Sequence, residues 1–74
     1  MLMNAMKIGE RAVIEGFADD DFSLKLLEMG CIPGEVVTLE RIAPLGDPIV
    51  IEISGYRLSM RKEEAAAIRV RLVG

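Results

Sequence analysis

Hydrophobic and polar residues alternate most regularly over residues 49–60, on both sides of the dipeptide Ser54-Gly55. Two alternating runs joined by such a dipeptide predict a β-hairpin with its turn at Ser54-Gly55. One register pairs Glu52 with Arg57 on the outer face. A slip by one residue would reverse the two faces, so the pattern also fixes the register. In that register the inner face carries Ile49, Ile51, Ile53, Tyr56, Leu58 and Met60.

Three other segments are predicted to be strands because they are short, rich in β-forming residues and bounded by turn formers. They are residues 11–17, 35–42 and 67–73. In the first of them, one face carries Ala12, Ile14 and Gly16, and the other face carries Val13, Glu15 and Phe17. In the last of them, the inward face carries Ile68, Val70 and Leu72.

The segment between the first two predicted strands favours one short α-helix, which follows Asp19–Asp21 and ends at Gly30. An aspartate caps the first turn, and its charge complements the helix dipole. Gly30 suits a left-handed C-terminal cap, which would bring Cys31 against Leu26. The apolar stripe of this helix has the spacing i, i+4 and i+7 and consists of Phe22, Leu26 and Met29.

Turn formers separate the remaining elements, at Pro33-Gly34 and in the loop of residues 43–48, and residues 62–66 have room for one helical turn. The predicted fold is therefore mainly β: a small five-stranded SH3-like barrel with one short α-helix in the first connection and a 3₁₀ turn before the last strand. An OB-fold would need a helix between the third and fourth strands, where Ser54-Gly55 leaves no room. We expect residues 1–74 to form one domain, with residues 1–6 frayed.

Composition narrows the chemistry that this fold could carry. The 74 residues are 51% hydrophobic, with a net charge of −3, one cysteine and no histidine. No base is present to activate a serine or Cys31, and Cys31 is predicted to be packed and unreactive. The sequence therefore predicts no enzyme, no catalytic residue, no cofactor and no metal site. Asp19–Asp21 could alternatively form a weak divalent-ion site, although the run lacks the spacing of an EF-hand.

Basic residues are concentrated at the end of the chain, since residues 56–74 carry five basic and two acidic groups. A nucleic-acid-binding barrel would use Arg57, Arg69 and Arg71, but it would also need stacking aromatic residues among them. The aromatic residues fall at predicted core or helix positions, so no nucleic-acid partner is expected. The sequence also lacks an export signal and a membrane span, which predicts a cytoplasmic protein without direct membrane insertion.

The predicted helix has more apolar surface than a small barrel can cover. A surplus apolar strip marks a surface for a protein partner. We expect the helix and the loop of residues 43–48 to form a cleft for a segment of another polypeptide or for a second copy of this chain. The residues predicted to bind the partner are Leu24, Leu27, Ile32, Pro44, Leu45 and Asp47.

Two segments, LKLLEMGCIPGE and RIAPLGDPIVIEISGYRLSMRKEEAAAIRV, resemble the FeoA family of small bacterial proteins. The resemblance covers residues 7–73 in order and without gaps, although no single piece of it is specific. Lys25 stands where the family has Arg, and Met29 where it has Leu. The matching residues include Pro33, Gly34, Ala43, Pro44, Gly46, Asp47, Pro48, Gly55, Leu58, Arg61, Glu64, Ala65, Ile68 and Val70.

The resemblance implies an SH3-like barrel that acts in ferrous iron uptake beside FeoB, a membrane Fe²⁺ permease with a cytosolic GTPase domain. It implies a non-catalytic accessory protein that binds the cytosolic part of this permease, with Lys25 added to the partner-binding residues. The alternative that it leaves open is an SH3-like regulatory module of an iron-dependent transcriptional repressor system. Iron handling would belong to the partner, because this chain offers no convincing Fe²⁺ site.

Overall fold

A computed structural model describes residues 1–74 and contains five strands and two helices, preceded by a 3₁₀ turn at Met3–Ala5. The order of elements agrees with the prediction, including the helix in the first connection and the single helical turn before the last strand. The elements are β1 (Arg11–Phe17), α1 (Asp20–Glu28), β2 (Val36–Ile42), β3 (Ile49–Ile53), β4 (Tyr56–Met60), α2 (Lys62–Ala65) and β5 (Ile68–Val73).

The five strands form one antiparallel sheet in the order β4-β3-β2-β1-β5. The outer strands β4 and β5 do not pair with each other, so backbone hydrogen bonds do not close the barrel as expected. Sixteen buried apolar residues instead form a single core cluster, to which both outer strands contribute. Packing rather than a continuous ladder therefore holds the two outer strands around the core.

The β3–β4 hairpin has the predicted register, with Ile53 opposite Tyr56 and Glu52 opposite Arg57. Ser54 and Gly55 both have positive φ, at 51° and 83°, as a type I′ turn requires. Two side chains differ from expectation. Tyr56 is exposed rather than in the core. Glu52 accepts a hydrogen bond from the backbone N–H of Gly55 (2.9 Å), so it closes the turn instead of pairing with Arg57.

Arg57 pairs instead with Glu40 of β2, at 2.6 Å between Nε and Oε1. The register of β2 against β3 shifts between Leu39 and Arg41, so Glu40 is the extra residue of a bulge. A bulge turns the following side chains relative to the strict alternation that the sequence suggests. The cross-strand ion pair therefore forms with the second strand along the sheet rather than with the hairpin partner.

A second bulge, at Glu15, corrects the predicted faces of β1. The register against β5 shifts between Ile14 and Gly16, so Phe17 lies opposite Ile68 and packs against the core. Gly16 falls on the other face, beside Arg69, whose guanidinium would lie 3.2 Å from a Cβ at this position. A one-residue insertion in the ladder thus exchanges the two faces after Glu15.

The beginning of the chain is packed rather than frayed, contrary to expectation. Met3 and Met6 are both buried in the core cluster. The backbones of Met1 and Val70 exchange two hydrogen bonds, of 2.8 and 3.1 Å, and Leu2 forms an isolated bridge with Arg69. The first residues therefore cover the outer edge of β5. Leu72, which was predicted to point inward, is exposed near the end of that strand.

Helix α1 is capped as the sequence predicts. The Asp19 carboxylate accepts a hydrogen bond from the N–H of Asp21 (2.9 Å). At the other end Gly30 has φ +99°, and the N–H of Cys31 donates to the carbonyl of Leu26 (2.9 Å). This is a Schellman cap, and it places Cys31 and Leu26 together in the core.

Candidate functional site

A cleft of about 500 Å³ lies between α1, the loop of residues 43–48 and the segment that joins β4 to α2. The helix and the loop thus share a cleft, as predicted, but most of the residues that line it are polar or charged. Of the predicted partner-binding residues, the cleft brings together only Lys25 and Asp47. The other residues that line it are Met29, Pro48, Ser59, Met60, Arg61 and Glu64.

Glu64 is the buried charged group at the base of this cleft, and its side chain is almost fully covered. One oxygen forms an ion pair with Nζ of Lys25, and the other accepts a hydrogen bond from the N–H of Arg61 (2.8 Å). The Lys25 hydrogen bond is the main reason that the pKa of Glu64 is below its ordinary value. Glu64 therefore stays ionised and joins α1 to the start of α2.

Asp47 has a structural contact of its own, because its carboxylate accepts a hydrogen bond from the N–H of Lys62 (2.9 Å). This N–H belongs to the first turn of α2, where the backbone donors lack partners within the helix. Asp47 therefore fixes the loop of residues 43–48 to α2. The contact leaves the second carboxylate oxygen without a hydrogen bond from the chain.

The outer face of α1 carries the exposed apolar residues that the sequence predicted. Leu24 and Leu27 are exposed by 70% and 41%, and Ile32, just after the helix, by 49%. Leu26 is the only fully buried residue of the helix. Leu24 and Leu27 are neighbours on one face, since they are three residues apart.

The predicted partner-binding residues therefore lie on different surfaces. At about 100° per residue, Leu27 lies about 160° around α1 from Lys25, so the cleft and the exposed leucines are on separate faces of the helix. Pro44 and Leu45 are exposed at the tip of their loop, and Leu45 is 97% accessible. The structure joins Lys25 with Asp47 and leaves the remaining residues outside the cleft.

Cys31 is a free, buried thiol with a pKa raised to about 11. The main cause is burial, and the charge of Glu64 adds to it. A thiol with so high a pKa remains protonated at neutral pH and is a poor nucleophile. No group of three or more Cys, Asp or Glu side chains could hold a metal ion.

Two of the three arginines considered for nucleic-acid binding have a carboxylate partner. Arg57 pairs with Glu40, and Arg71 with Glu15 at 3.4 Å. Only Arg69 lacks an ion pair within the chain. Among the helices, none has the length and apolarity needed to cross a membrane.

Sequence reasoning missed two tertiary contacts of α1, one made by Glu64 in the cleft and one made by Tyr56. The Tyr56 hydroxyl donates to the carbonyl of Met29 (3.1 Å), which ties β4 to the end of α1. The partners of both residues are far away in sequence, so no local pattern could reveal the contacts. The one available signal for Glu64 was its place among the residues that match the family pattern.

Comparison with protein families gives a match to the FeoA domain over residues 1–72. A curated relative in Porphyromonas gingivalis, an "Fe(2+) transport protein A/Fe(2+) transporter FeoB fusion protein", is 38% identical over 76 residues. The match covers 99% of this chain and 9% of that relative, so the chain spans about a tenth of its length.

Two solved structures have the same fold. A FeoA-like protein from Clostridium acetobutylicum has a TM-score of 0.93 and 32% identity, over 99% of this chain and 86% of that one. Stenotrophomonas maltophilia FeoA complexed with zinc has a TM-score of 0.80 and 26% identity, over 96% and 89% of the chains. That protein is described as a prokaryotic SH3 domain protein, and the predicted SH3-like fold class is thereby confirmed.

Proposed function

The chain belongs to the FeoA family, and from that premise we propose that it is a non-catalytic accessory protein of ferrous iron uptake that binds the cytosolic part of a FeoB-type permease. The observation that carries the proposal is the fusion of a homologous domain with FeoB in one chain in Porphyromonas gingivalis. Two domains in one chain meet at a high effective concentration, so a fusion favours domains that act on each other.

The proposed contact surface consists of the residues that the sequence suggested. In the structure they form an apolar part and a polar part. The apolar part consists of Leu24, Leu27 and Ile32 on and after α1, with Pro44 and Leu45 at the loop tip. Lys25 and Asp47 supply a polar part at the cleft. Exposed leucines surrounded by charged residues are typical of the centre of a protein–protein interface.

The test is a titration of labelled protein with the isolated cytosolic domain of the permease, with and without guanine nucleotide. Leu24→Asp and Leu27→Asp each place a charge at the proposed centre. We expect each to weaken binding by about thirtyfold or more, since an anchor residue contributes about 2 kcal/mol. Both variants should keep the fold, because neither side chain is buried.

Ile8→Asp is the matched control. Ile8 is 60% exposed and lies outside the proposed surface, so its replacement adds the same charge elsewhere. It should leave the affinity unchanged. Equal losses in all three variants, or no binding by the unaltered protein, would contradict the proposal. Binding to an iron-dependent repressor chain in place of the permease would favour the alternative function.

A further inference from the structure

Strand β4 forms one border of the sheet, and its outer edge has no partner. The sheet order places β3 on its inner side and nothing on its outer side. None of the backbone hydrogen bonds outside the strands and helices involves Tyr56–Met60. An unpaired edge presents N–H and C=O groups that can pair with another extended chain.

The register identifies the unpaired groups. Ile53 and Tyr56 flank the two-residue turn and form the first hydrogen-bonded pair of the hairpin. Antiparallel strands alternate between pairs that exchange hydrogen bonds and pairs that do not. Arg57 and Ser59 therefore direct their N–H and C=O groups away from β3, toward the free edge.

The free edge borders the cleft described above. Ser59 and Met60 of β4 line it on one side, and Lys25 of α1 and Met29, the C-cap of that helix, line it on another. The hydrogen bond from Tyr56 to the carbonyl of Met29 joins the two elements at one end. An incoming chain would therefore approach from the end near Arg61, which also lines the cleft.

The charge along this edge selects the kind of chain that could pair with it. The segment Tyr56–Lys62 contains Arg57, Arg61 and Lys62 and no acidic residue. Arg61 and Lys62 are exposed and have no ion-pair partner in the chain. A second copy paired through β4 would bring two positive segments together, which is unfavourable, whereas an acidic segment would complement them.

Asp47 and Glu64 are the two acidic groups that face the same cleft. Both have their charge partly compensated. Asp47 accepts a hydrogen bond from the N–H of Lys62, and Glu64 is paired with Lys25. Arg61 and Lys62 form no ion pair within the chain, so their side chains are the positive charges available at the open end.

We propose that β4 binds an extended acidic segment of a partner protein by β-strand addition, through the backbones of Arg57 and Ser59. The acidic side chains of that segment face Arg61 and Lys62. Main-chain hydrogen bonds supply affinity in this mode, and alternate side chains supply specificity. The inference is independent of the identity of the partner proposed above.

The test uses two synthetic peptides, Ac-VEVEVEV-NH₂ and Ac-VKVKVKV-NH₂, added to ¹⁵N-labelled protein at neutral pH. The acidic peptide should shift the amide signals of Arg57 and Ser59 and slow their hydrogen exchange. The basic peptide should bind at least about tenfold more weakly.

Ser59→Pro removes one of the donors of the free edge and should abolish the exchange protection. Proline is tolerated on an edge strand when its N–H faces solvent, so the variant should fold. Ser59→Ala is the matched control, because it removes the hydroxyl and keeps the backbone donor, and it should bind normally. Arg61→Gln and Lys62→Gln should each weaken binding by about threefold.

Four results obtained with the protein and the peptides would overturn the inference. They are equal binding of both peptides, shifts centred on α1 instead of β4, normal binding by Ser59→Pro, and concentration-dependent shifts of Arg57 and Ser59 without peptide. The last would identify a second copy as the occupant. Single-stranded RNA that displaces the acidic peptide and gives the same shifts would identify a nucleic acid instead, and it would also overturn the inference.

Discussion

The two border strands of the sheet, β4 and β5, differ in whether another part of the chain covers their outer edge. The edge of β5 is covered by the first residues, through the paired backbones of Met1 and Val70, and Met3 is buried beneath them. The edge of β4 has no backbone partner and is lined with basic residues. Covering and charging are two ways to keep an edge from aggregating, but only the charged edge stays available to a partner.

The largest expected loss of stability comes from removing a buried side chain, and it tests whether β5 is more deeply buried than β4. Ile68→Ala in β5 removes a fully buried side chain and should lower the free energy of unfolding by about 2–5 kcal/mol. Leu58→Ala in β4 removes a half-buried one and should cost about 1 kcal/mol. Urea unfolding of both variants measures the difference, and equal losses would contradict the contrast between the strands.

Gly30→Ala should disturb the junction of β4 with α1. Gly30 has φ +99°, and a Cβ there would lie 2.1 Å from the Tyr56 hydroxyl oxygen. We expect a loss of about 2–3 kcal/mol, from backbone strain together with the displaced hydrogen bond. Gly34→Ala is the control, since its φ is +97° with nothing within 4 Å, and it should cost only about 1–2 kcal/mol.

Helix α2 joins the two border strands, and its Glu64 makes the free energy of unfolding depend on pH. Its pKa is lowered in the folded protein, first by the Lys25 hydrogen bond, so its contribution is complete above the unfolded pKa and is lost as the pH falls through the folded value. Glu64→Gln should lower the free energy of unfolding by about 1 kcal/mol at neutral pH. The difference from the unaltered protein should shrink as the pH falls below the unfolded pKa and through the lowered folded pKa. A difference independent of pH would exclude this role.

The smallest expected effect concerns the single hydrogen bond that ties β4 to α1. Tyr56→Phe removes the donor to the Met29 carbonyl and should cost about 0.5–1 kcal/mol in urea unfolding. In the Tyr56→Phe background, Gly30→Ala should cost no more than Gly34→Ala, because the clashing oxygen is gone. If Gly30→Ala still costs more than Gly34→Ala in the Tyr56→Phe background, a group other than the Tyr56 hydroxyl limits the space at Gly30.

The candidate site was only partly predictable. Exposed Leu24 and Leu27 follow from an apolar excess on a short helix, and the structure places both on its outer face. Their separation from Lys25 depends on which face of α1 packs on the sheet. The stripe of Phe22, Leu26 and Met29 was sufficient to predict that face. The Lys25–Glu64 ion pair could not be predicted from the sequence, since its members are 39 positions apart and belong to different helices.

The sequence by itself determined the local structure of this protein. The hairpin register, the Asp19 cap and the Gly30 cap follow from alternation and from backbone preferences that act within a few residues. Only the tertiary structure decided the bulges that move Phe17 and Glu40, the burial of Met3, and the free edge of β4. These features arise where distant segments compete for the same core and the same strand edges, and that competition leaves no periodic signal in any one segment.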